Sequence, residues 1–281
     1  MPKSVLITGC STGGIGYDLA VAFQKRGLVV FATARKTSKM VELEKLPNLH
    51  LLALDVTSDS SINEACAQVK TQTDGKLDYL VNNAGRGYVF PLLDADIEEG
   101  KKMFDANLWG VLKMIQVFSP LLIDTKGTVV NIGSLSASLY FPWSGLYCAS
   151  KAALHLFSET LRLELAPLGV NVITVGVGAI QTSFHADLPE VTLPPNSHYQ
   201  SIEKQIQARG RGEDGMVRGS SVDFAEKVVG DTLRGAEGLV YRGKFASYGR
   251  MAAHLPARIL DGMLADPGTG LADLKKHKKP N

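Results

Sequence analysis

The sequence predicts an α/β protein: one doubly wound, parallel, seven-stranded sheet with helices on both faces. Three observations predict it. Short runs rich in Val, Leu and Ile alternate with longer amphipathic stretches along the whole chain. The short runs lack a clean in/out alternation, as strands buried on both faces do. A glycine-rich turn joins the first short run to the first amphipathic stretch. Such a β–α repeat implies right-handed crossovers and a layered α/β domain.

The elements follow in order. A strand at 5–8 leads through the glycine turn into a helix at 16–26, and Gly27 stands where a C-terminal glycine helps a helix stop. A strand at 29–34 precedes a short helix at 40–46, and a strand at 50–56 ends in Thr57-Ser58-Asp59, which offers an N-cap to a helix at 60–73. A strand at 79–83, a long helix at 98–123 and a strand at 128–132 continue the rhythm. A helix at 146–165, a strand at 171–175, a helix at 223–234 and a strand at 239–241 complete it.

Two regions break the pattern. Residues 179–221 contain Pro189, Pro194, Pro195 and an Arg/Gly stretch at 209–212. A long irregular segment inside a compact domain is usually functional, so 184–219 is expected to be a lid over a substrate. From about residue 243 an amphipathic extension runs to the basic tail Lys275-Lys276-His277-Lys278-Lys279, a solvated end or a membrane-surface contact. No repeat or linker divides the chain, so residues 1–281 are read as one domain.

The bulk numbers exclude more than they identify. A net charge of +2 is too near balance to imply nucleic acid. Cys10, Cys66 and Cys148 form no CxxC pair and read as free thiols in a reducing compartment. No metal site is expected. There is no secretory pattern, and no apolar run of about 18 residues, the length of a membrane span, is expected. A cytoplasmic protein is the expectation.

Thr8-Gly9-Cys10-Ser11-Thr12-Gly13-Gly14-Ile15-Gly16 is the first site candidate. Glycines let a backbone approach a pyrophosphate, and a helix N-terminus offers free N–H groups and a favourable dipole; the alternative is glycine for packing alone. The same residues contain Gly-x-Ser-x-Gly, the nucleophile elbow of an α/β-hydrolase with Ser11 as nucleophile. That rival needs a downstream acid and histidine. After the second strand come Arg35 and Lys36, with no acid before Glu42. An acid there reads a ribose 2′-hydroxyl and an arginine a 2′-phosphate. NADPH is therefore expected over NADH, the alternative being a plain surface arginine.

Of the eight tyrosines, Tyr147 alone has a lysine, Lys151, four residues on, which is one helical face. A phenol near pKa 10 is a poor base at neutral pH, and a nearby ammonium lowers that value. Such a tyrosine can exchange a proton with a carbonyl or alcohol oxygen. Ser134, just after a strand, could hydrogen-bond that oxygen. Asn107 falls mid-helix, where asparagine is a mediocre helix former, and is read as a hydrogen-bonding group or a satisfied core amide.

Together these residues resemble the short-chain dehydrogenase/reductase family over 5–241. The turn at 8–16, Asp55-Val56, Asn82-Asn83-Ala84-Gly85, Asn107, Ser134 and Tyr147-Cys148-Ala149-Ser150-Lys151 stand in the family's order and spacing. The resemblance implies a Rossmann fold with strand order 3-2-1-4-5-6-7, NADPH-dependent interconversion of a ketone and a secondary alcohol, and a homodimer or homotetramer. Asn107, Ser134, Tyr147 and Lys151 would be the catalytic tetrad: Asn107 supports a water relay, Ser134 orients the substrate oxygen, Tyr147 is the acid/base, and Lys151 holds the nicotinamide ribose. Gly9, Ser11, Thr12, Gly14 and Ile15 would cradle the phosphates. Asp55 and Val56 would meet adenine, and Asn83, Ala84 and Gly85 the adjoining ribose. Gly178, Ile180 and Thr182 would lie at the nicotinamide, Thr182 on its carboxamide.

Two departures stand out: the glycine turn carries one extra residue, and Val177-Gly178 replaces the family's frequent Pro-Gly. Gly13-Gly14-Ile15-Gly16-Tyr17 and the stretch from Tyr241 to Ala246 resemble reductases similar to NADPH-dependent 1-acyldihydroxyacetone-phosphate reductase. Members of that kind often carry an apolar C-terminal segment for lipid surfaces such as the ER or lipid droplets; here His254, Pro256, Arg258 and Asp261 interrupt it. The same scaffold serves fungal secondary metabolism. Tyr140, Phe141, Trp143 and Phe184 would line the substrate side and suit a small apolar carbonyl or alcohol, a lipid or secondary metabolite; packing of the core or of a subunit contact is the other reading. Arg209, Arg211 and Arg218 are expected in a solvated loop. A second class of function, an NADPH-binding sensor without catalysis, stays open because fold alone does not settle function.

Overall fold

The structure is a computed structural model and describes residues 2–265 and 268–277. β1 (Ser4–Ile7) is buried along its whole length, as an apolar strand covered on both faces must be. α1 (Ile15–Gln24) turns Leu19, Ala20 and Phe23 inward and stops before Gly27, whose φ of +81° suits glycine. After β2 (Val29–Ala34) come two tight turns of 3-10 helix, Thr37–Lys39 and Val41–Lys45, where the sequence predicts a helix at 40–46. So short a segment supports little α-helix, and the residue before Pro47 is steered to extended backbone; Leu46 sits at ψ 136°.

β3 (Leu49–Ala53) ends short of the expected residue 56, because the Asp55 carboxylate accepts the Thr57 N–H at 2.9 Å and its hydroxyl at 2.7 Å and bends the chain. The Ser58 hydroxyl then accepts the Ser61 N–H at 3.4 Å and caps α2 (Asp59–Gln72). β4 (Tyr79–Asn82) leads to a helical segment that is interrupted where the sequence pattern predicts one helix at 98–123. α3 (Ile97–Phe104) and α4 (Gly110–Thr125) are joined by a π-helical turn, Asp105–Trp109. Such turns cluster at functional sites. Contrary to expectation, the continuous helix Ile97–Thr125 is long and apolar enough by composition to cross a bilayer, but half of its apolar window is buried in the fold, through Met114, Ile115, Phe118 and Leu122.

β5 (Thr128–Ile132), α5 (Gly145–Leu165) and β6 (Asn171–Val177) follow. Next come α6 (Glu203–Gly210), α7 (Ser221–Leu233) and β7 (Gly238–Arg242). α8 (Ala246–Ala252), α9 (Ala257–Leu264) and α10 (Leu271–His277) form the C-terminal extension. The seven strands are parallel, in the order β3-β2-β1-β4-β5-β6-β7. One face is covered by α1 and α7 through Phe23, Phe224 and Val228. The other is covered by α2, α4 and α5 through Ile62, Phe118 and Leu161. The order reverses between β1 and β4, and in such sheets the crevice at that reversal is where ligands bind.

The irregular region is better packed than its composition suggests. Val191, Leu193, Ile202 and Ile206 bury against Trp143, whose indole N–H donates to the Thr269 carbonyl at 2.9 Å. The arginines are not a solvated loop: Arg209 and Arg218 keep 15% and 12% side-chain exposure and flank Asp214 at 3.9 and 2.7 Å. Only Arg211, paired with Glu213 at 2.8 Å, is exposed as expected. In the extension, Ala252 and Leu260 pack on Leu135 and Leu139. Lys278 and Lys279 of the basic tail lie outside the described residues.

Candidate active site

The glycine turn is built by contacts that leave no room for side chains. The Thr8 hydroxyl oxygen accepts the N–H groups of Asn83 and Ala84, both at 2.9 Å. The Asn83 amide donates to the carbonyls of Thr8 (2.8 Å) and Gly9 (3.0 Å). These bonds lock the first turn to the end of β4. Gly9 has φ +75°, and a Cβ there would stand 2.9 Å from Ala84 Cα. Thr12 and Gly13 of the turn are exposed. Thr12 bonds the Lys39 carbonyl through its N–H, and the Gly13 carbonyl accepts the Ser183 N–H at 2.9 Å. That last bond brings Thr182 beside the turn. At the N-terminus of α1, Gly14 supplies no side-chain cap. An uncapped helix start behind a cradle of glycine fits a pyrophosphate.

The other expected cofactor contacts surround this turn. Arg35 and Lys36 are exposed just past β2, and Arg35 forms no ion pair among the described residues. Asp55 and Val56 are half-buried at the end of the neighbouring β3. Ala84 is half-buried, and Gly85 is exposed above Asn107 and Lys151. Gly178 donates its N–H to the Arg242 carbonyl at 2.8 Å, and a side chain on it would run into the Lys244 carbonyl. Ile180 bridges to Gly219, and the Thr182 hydroxyl accepts the Phe184 N–H at 3.3 Å. Ser11 has no histidine partner among the described residues, so the elbow reading gains nothing from geometry.

The four polar candidates converge where β4, β5 and α5 meet. Asn107, fully buried, sits in the π-helical turn. Its carbonyl oxygen accepts the Arg86 N–H at 2.8 Å, and its amide donates to the Arg86 carbonyl (2.9 Å) and the Ser150 hydroxyl (3.0 Å). Asn107 thus ties the loop after β4 to the helix that carries Tyr147 and Lys151. Lys151, 6% exposed, donates to the Ile132 carbonyl at 2.9 Å and lies 5.9 Å from the Tyr147 ring centre. Burial pulls its ammonium down to about 8. The Ser134 hydroxyl accepts the Ser136 N–H at 3.1 Å and stands close enough to Tyr147 to favour its ionised form.

Burial pushes the Tyr147 hydroxyl up to about 12, and the nearby Ser134 hydroxyl works against it. The spacing to Lys151 suggests the opposite direction. Desolvation decides, because a phenolate enclosed in low dielectric loses its hydration. At neutral pH the site therefore holds a protonated phenol beside a hydroxyl, with an ammonium on the same helix face. That set can donate a proton to an oxygen placed between Ser134 and Tyr147.

The aromatic candidates separate. Phe184 places its ring 6.1 Å from that of Tyr147. Phe141 lies under the Arg209 guanidinium at 5.6 Å and packs with the Leu135 cluster. Tyr140 bonds Asp261 at 2.9 Å, and Trp143 is buried in the cluster of Val191 and Ile206. Sequence reasoning missed Ser150, whose hydroxyl donates to the Tyr147 carbonyl at 2.8 Å. It also missed a buried ladder in which the Asn82 amide donates to Asn131 and the Asn131 amide to Ser158, each at 2.9 Å. Polar residues in otherwise apolar strands were the available signal.

Comparison with known proteins agrees with this architecture. The profile described as short chain dehydrogenase matches residues 3–192. A short-chain dehydrogenase of Penicillium ochrochloron is 48% identical over 270 residues, covering 96% of this chain and 99% of that protein. The NADPH-dependent 1-acyldihydroxyacetone phosphate reductase of Schizosaccharomyces pombe is 44% identical over 208 residues, covering 73% of this chain and 70% of that protein. Among solved structures, a short chain dehydrogenase from Burkholderia cenocepacia in complex with NADP superposes with a TM-score of 0.74 at 26% identity, covering 95% and 98% of the two chains. This parallel sheet with its glycine turn is a nucleotide-binding oxidoreductase scaffold. The chain belongs to the short-chain dehydrogenase/reductase family.

Proposed function

We propose that this chain is an NADPH-dependent reductase of a ketone on an apolar substrate, with Tyr147 as the proton donor. What carries the reading is the gathering of Ser134, Tyr147 and Lys151 where β5 meets α5, at the reversal of the sheet and next to a glycine cradle that a Cβ would fill. Bound NADPH would supply the hydride. Gly9, Ser11, Thr12, Gly14 and Ile15 would hold its phosphates, Asp55, Val56 and residues 83–85 its adenosine, and Gly178, Ile180 and Thr182 its nicotinamide end. Arg35, exposed and free of an ion pair among the described residues, would read the 2′-phosphate; the name of the Schizosaccharomyces relative supports that choice.

In this reading Ser134 and Tyr147 grip the substrate carbonyl oxygen, and Tyr147, a phenol at neutral pH, gives it a proton. Lys151 keeps a positive charge beside the phenolate that forms, and Asn107 holds the loop after β4 against α5. Residues 184–219 act as a lid, with Phe184 over Tyr147. The substrate is a lipid-like ketone or a secondary metabolite. NADPH titration tests the cofactor: native protein prefers NADPH over NADH, and Arg35→Ala loses that preference. Equal affinity for both in the native protein would remove Arg35 from the reading. Tyr147→Phe tests the chemistry: NADPH affinity holds while turnover of an aryl ketone falls about a hundredfold or more. An unchanged turnover would leave the sensor alternative standing.

A further inference from the structure

His155 lies one helical turn beyond Lys151, on the same face of α5, and the tetrad gives it no task. Its Nε2 accepts the backbone N–H of Ser134 at 3.3 Å. The ring is buried, with 9% exposure, so little water reaches that N–H if the imidazole is removed. The end of β5 is shaped around the ring. Gly133 is held by its own N–H on the Val175 carbonyl at 2.8 Å, and a Cβ on Gly133 would collide with Nε2 of His155. Gly133 is thus a space left for the imidazole rather than a hinge.

Ser134 is extended, at φ −163° and ψ 156°, a conformation any residue adopts. Its backbone is therefore not fixed by local preference, and a bond to a rigid ring supplies what the dihedrals do not. With Nε2 as acceptor, the ring proton must reside on Nδ1. A second proton would remove the acceptor and set a cation near Lys151. Burial first and the Lys151 charge second hold the ring neutral, down to about 4.

We propose that His155 is a positioning residue, whose imidazole fixes the Ser134 backbone so that the Ser134 hydroxyl meets Tyr147 and the substrate oxygen together. It rests on the reading of Ser134 and Tyr147 given above. Histidine-labelled protein with NADPH bound gives the first test, by nitrogen NMR. The expected spectrum shows His155 neutral at neutral pH with its proton on Nδ1; a proton on Nε2 overturns the proposal without reference to activity. Kinetics give the second, on His155→Phe, which fills the space without an acceptor, and His155→Gln, which restores one. For reduction of an aryl ketone, the phenylalanine variant loses about tenfold to a hundredfold in kcat with NADPH affinity near native, and the glutamine variant recovers much of it. A native kcat in His155→Phe, or a kcat loss that glutamine does not relieve, overturns it. If native protein binds NADPH but reduces no ketone, the proposed function falls, and the NMR result alone decides where the imidazole proton sits.

Discussion

A lysine buried as deeply as Lys151 is charged at neutral pH against the preference of its surroundings. Its pKa in the fold, about 8, lies below the ordinary 10.5, so the folded state sheds this proton first as pH rises. The fold therefore carries a penalty below pH 8 that fades as pH climbs from about 8 toward 10.5. A shift of that size corresponds to roughly 3 kcal/mol. Lys151→Met removes the penalty but leaves the Ile132 carbonyl without its donor, a loss of about 1–3 kcal/mol. Denaturant unfolding near neutral pH is expected to find the variant as stable as native protein, or more so, while turnover collapses. Above pH 8 the native protein gains on the variant. A variant much less stable at neutral pH would mean that the ammonium stabilises the fold. His155 illustrates what the sequence conceals at this scale: a histidine in an apolar helix looks like core, and only the return of β5 shows what its nitrogen touches.

Among the elements, the irregular crossing between β6 and α7 carries a carboxylate clasp beside its apolar cluster. Asp214 sits between Arg209 and Arg218, and Arg218 is the tight partner at 2.7 Å. Removing a buried partner strands the charges left behind, which costs about 3–5 kcal/mol in a fully enclosed pair and less here because the arginines are partly exposed. Asp214→Asn is expected to raise hydrogen exchange across 184–219 while the strands keep native protection. Uniform loosening of the sheet would show that the clasp holds the whole domain. The strands were legible as short Val/Leu/Ile runs because both their faces are dry, and the polar candidates because Tyr147 and Lys151 share one helical face and Ser134 stands at a strand end. The π-helical turn was not legible. It adds no residue type of its own, and it is fixed by Asn107 meeting Arg86 and Ser150, contacts far apart in sequence. α6 escaped, and α8–α10 were read only as one amphipathic extension, because none exceeds eight residues, too short to mark its own bounds.

For the molecule as a whole, the long helices leave some large apolar side chains outward. Trp109, Leu156 and Leu163 are 56%, 74% and 66% exposed on the segment 97–125 and on α5. Exposed apolar patches on such helices suit pairing with a second copy. Light scattering is expected to find a dimer or tetramer, and Leu156→Glu with Leu163→Glu to give a smaller species; a native monomer would refute it. The strand order has a further consequence, for biogenesis. β1 is central, bonded to β2 on one side and to β4 on the other. A nascent chain that has emerged only as far as β3 can pair one edge of β1 and leaves the other bare. That edge is Ser-Val-Leu-Ile, buried throughout in the finished fold, and bare apolar edges recruit other chains. Nascent chains that have emerged to a point before Tyr79 should therefore need chaperone cover, and those that have emerged past Asn82 should need less.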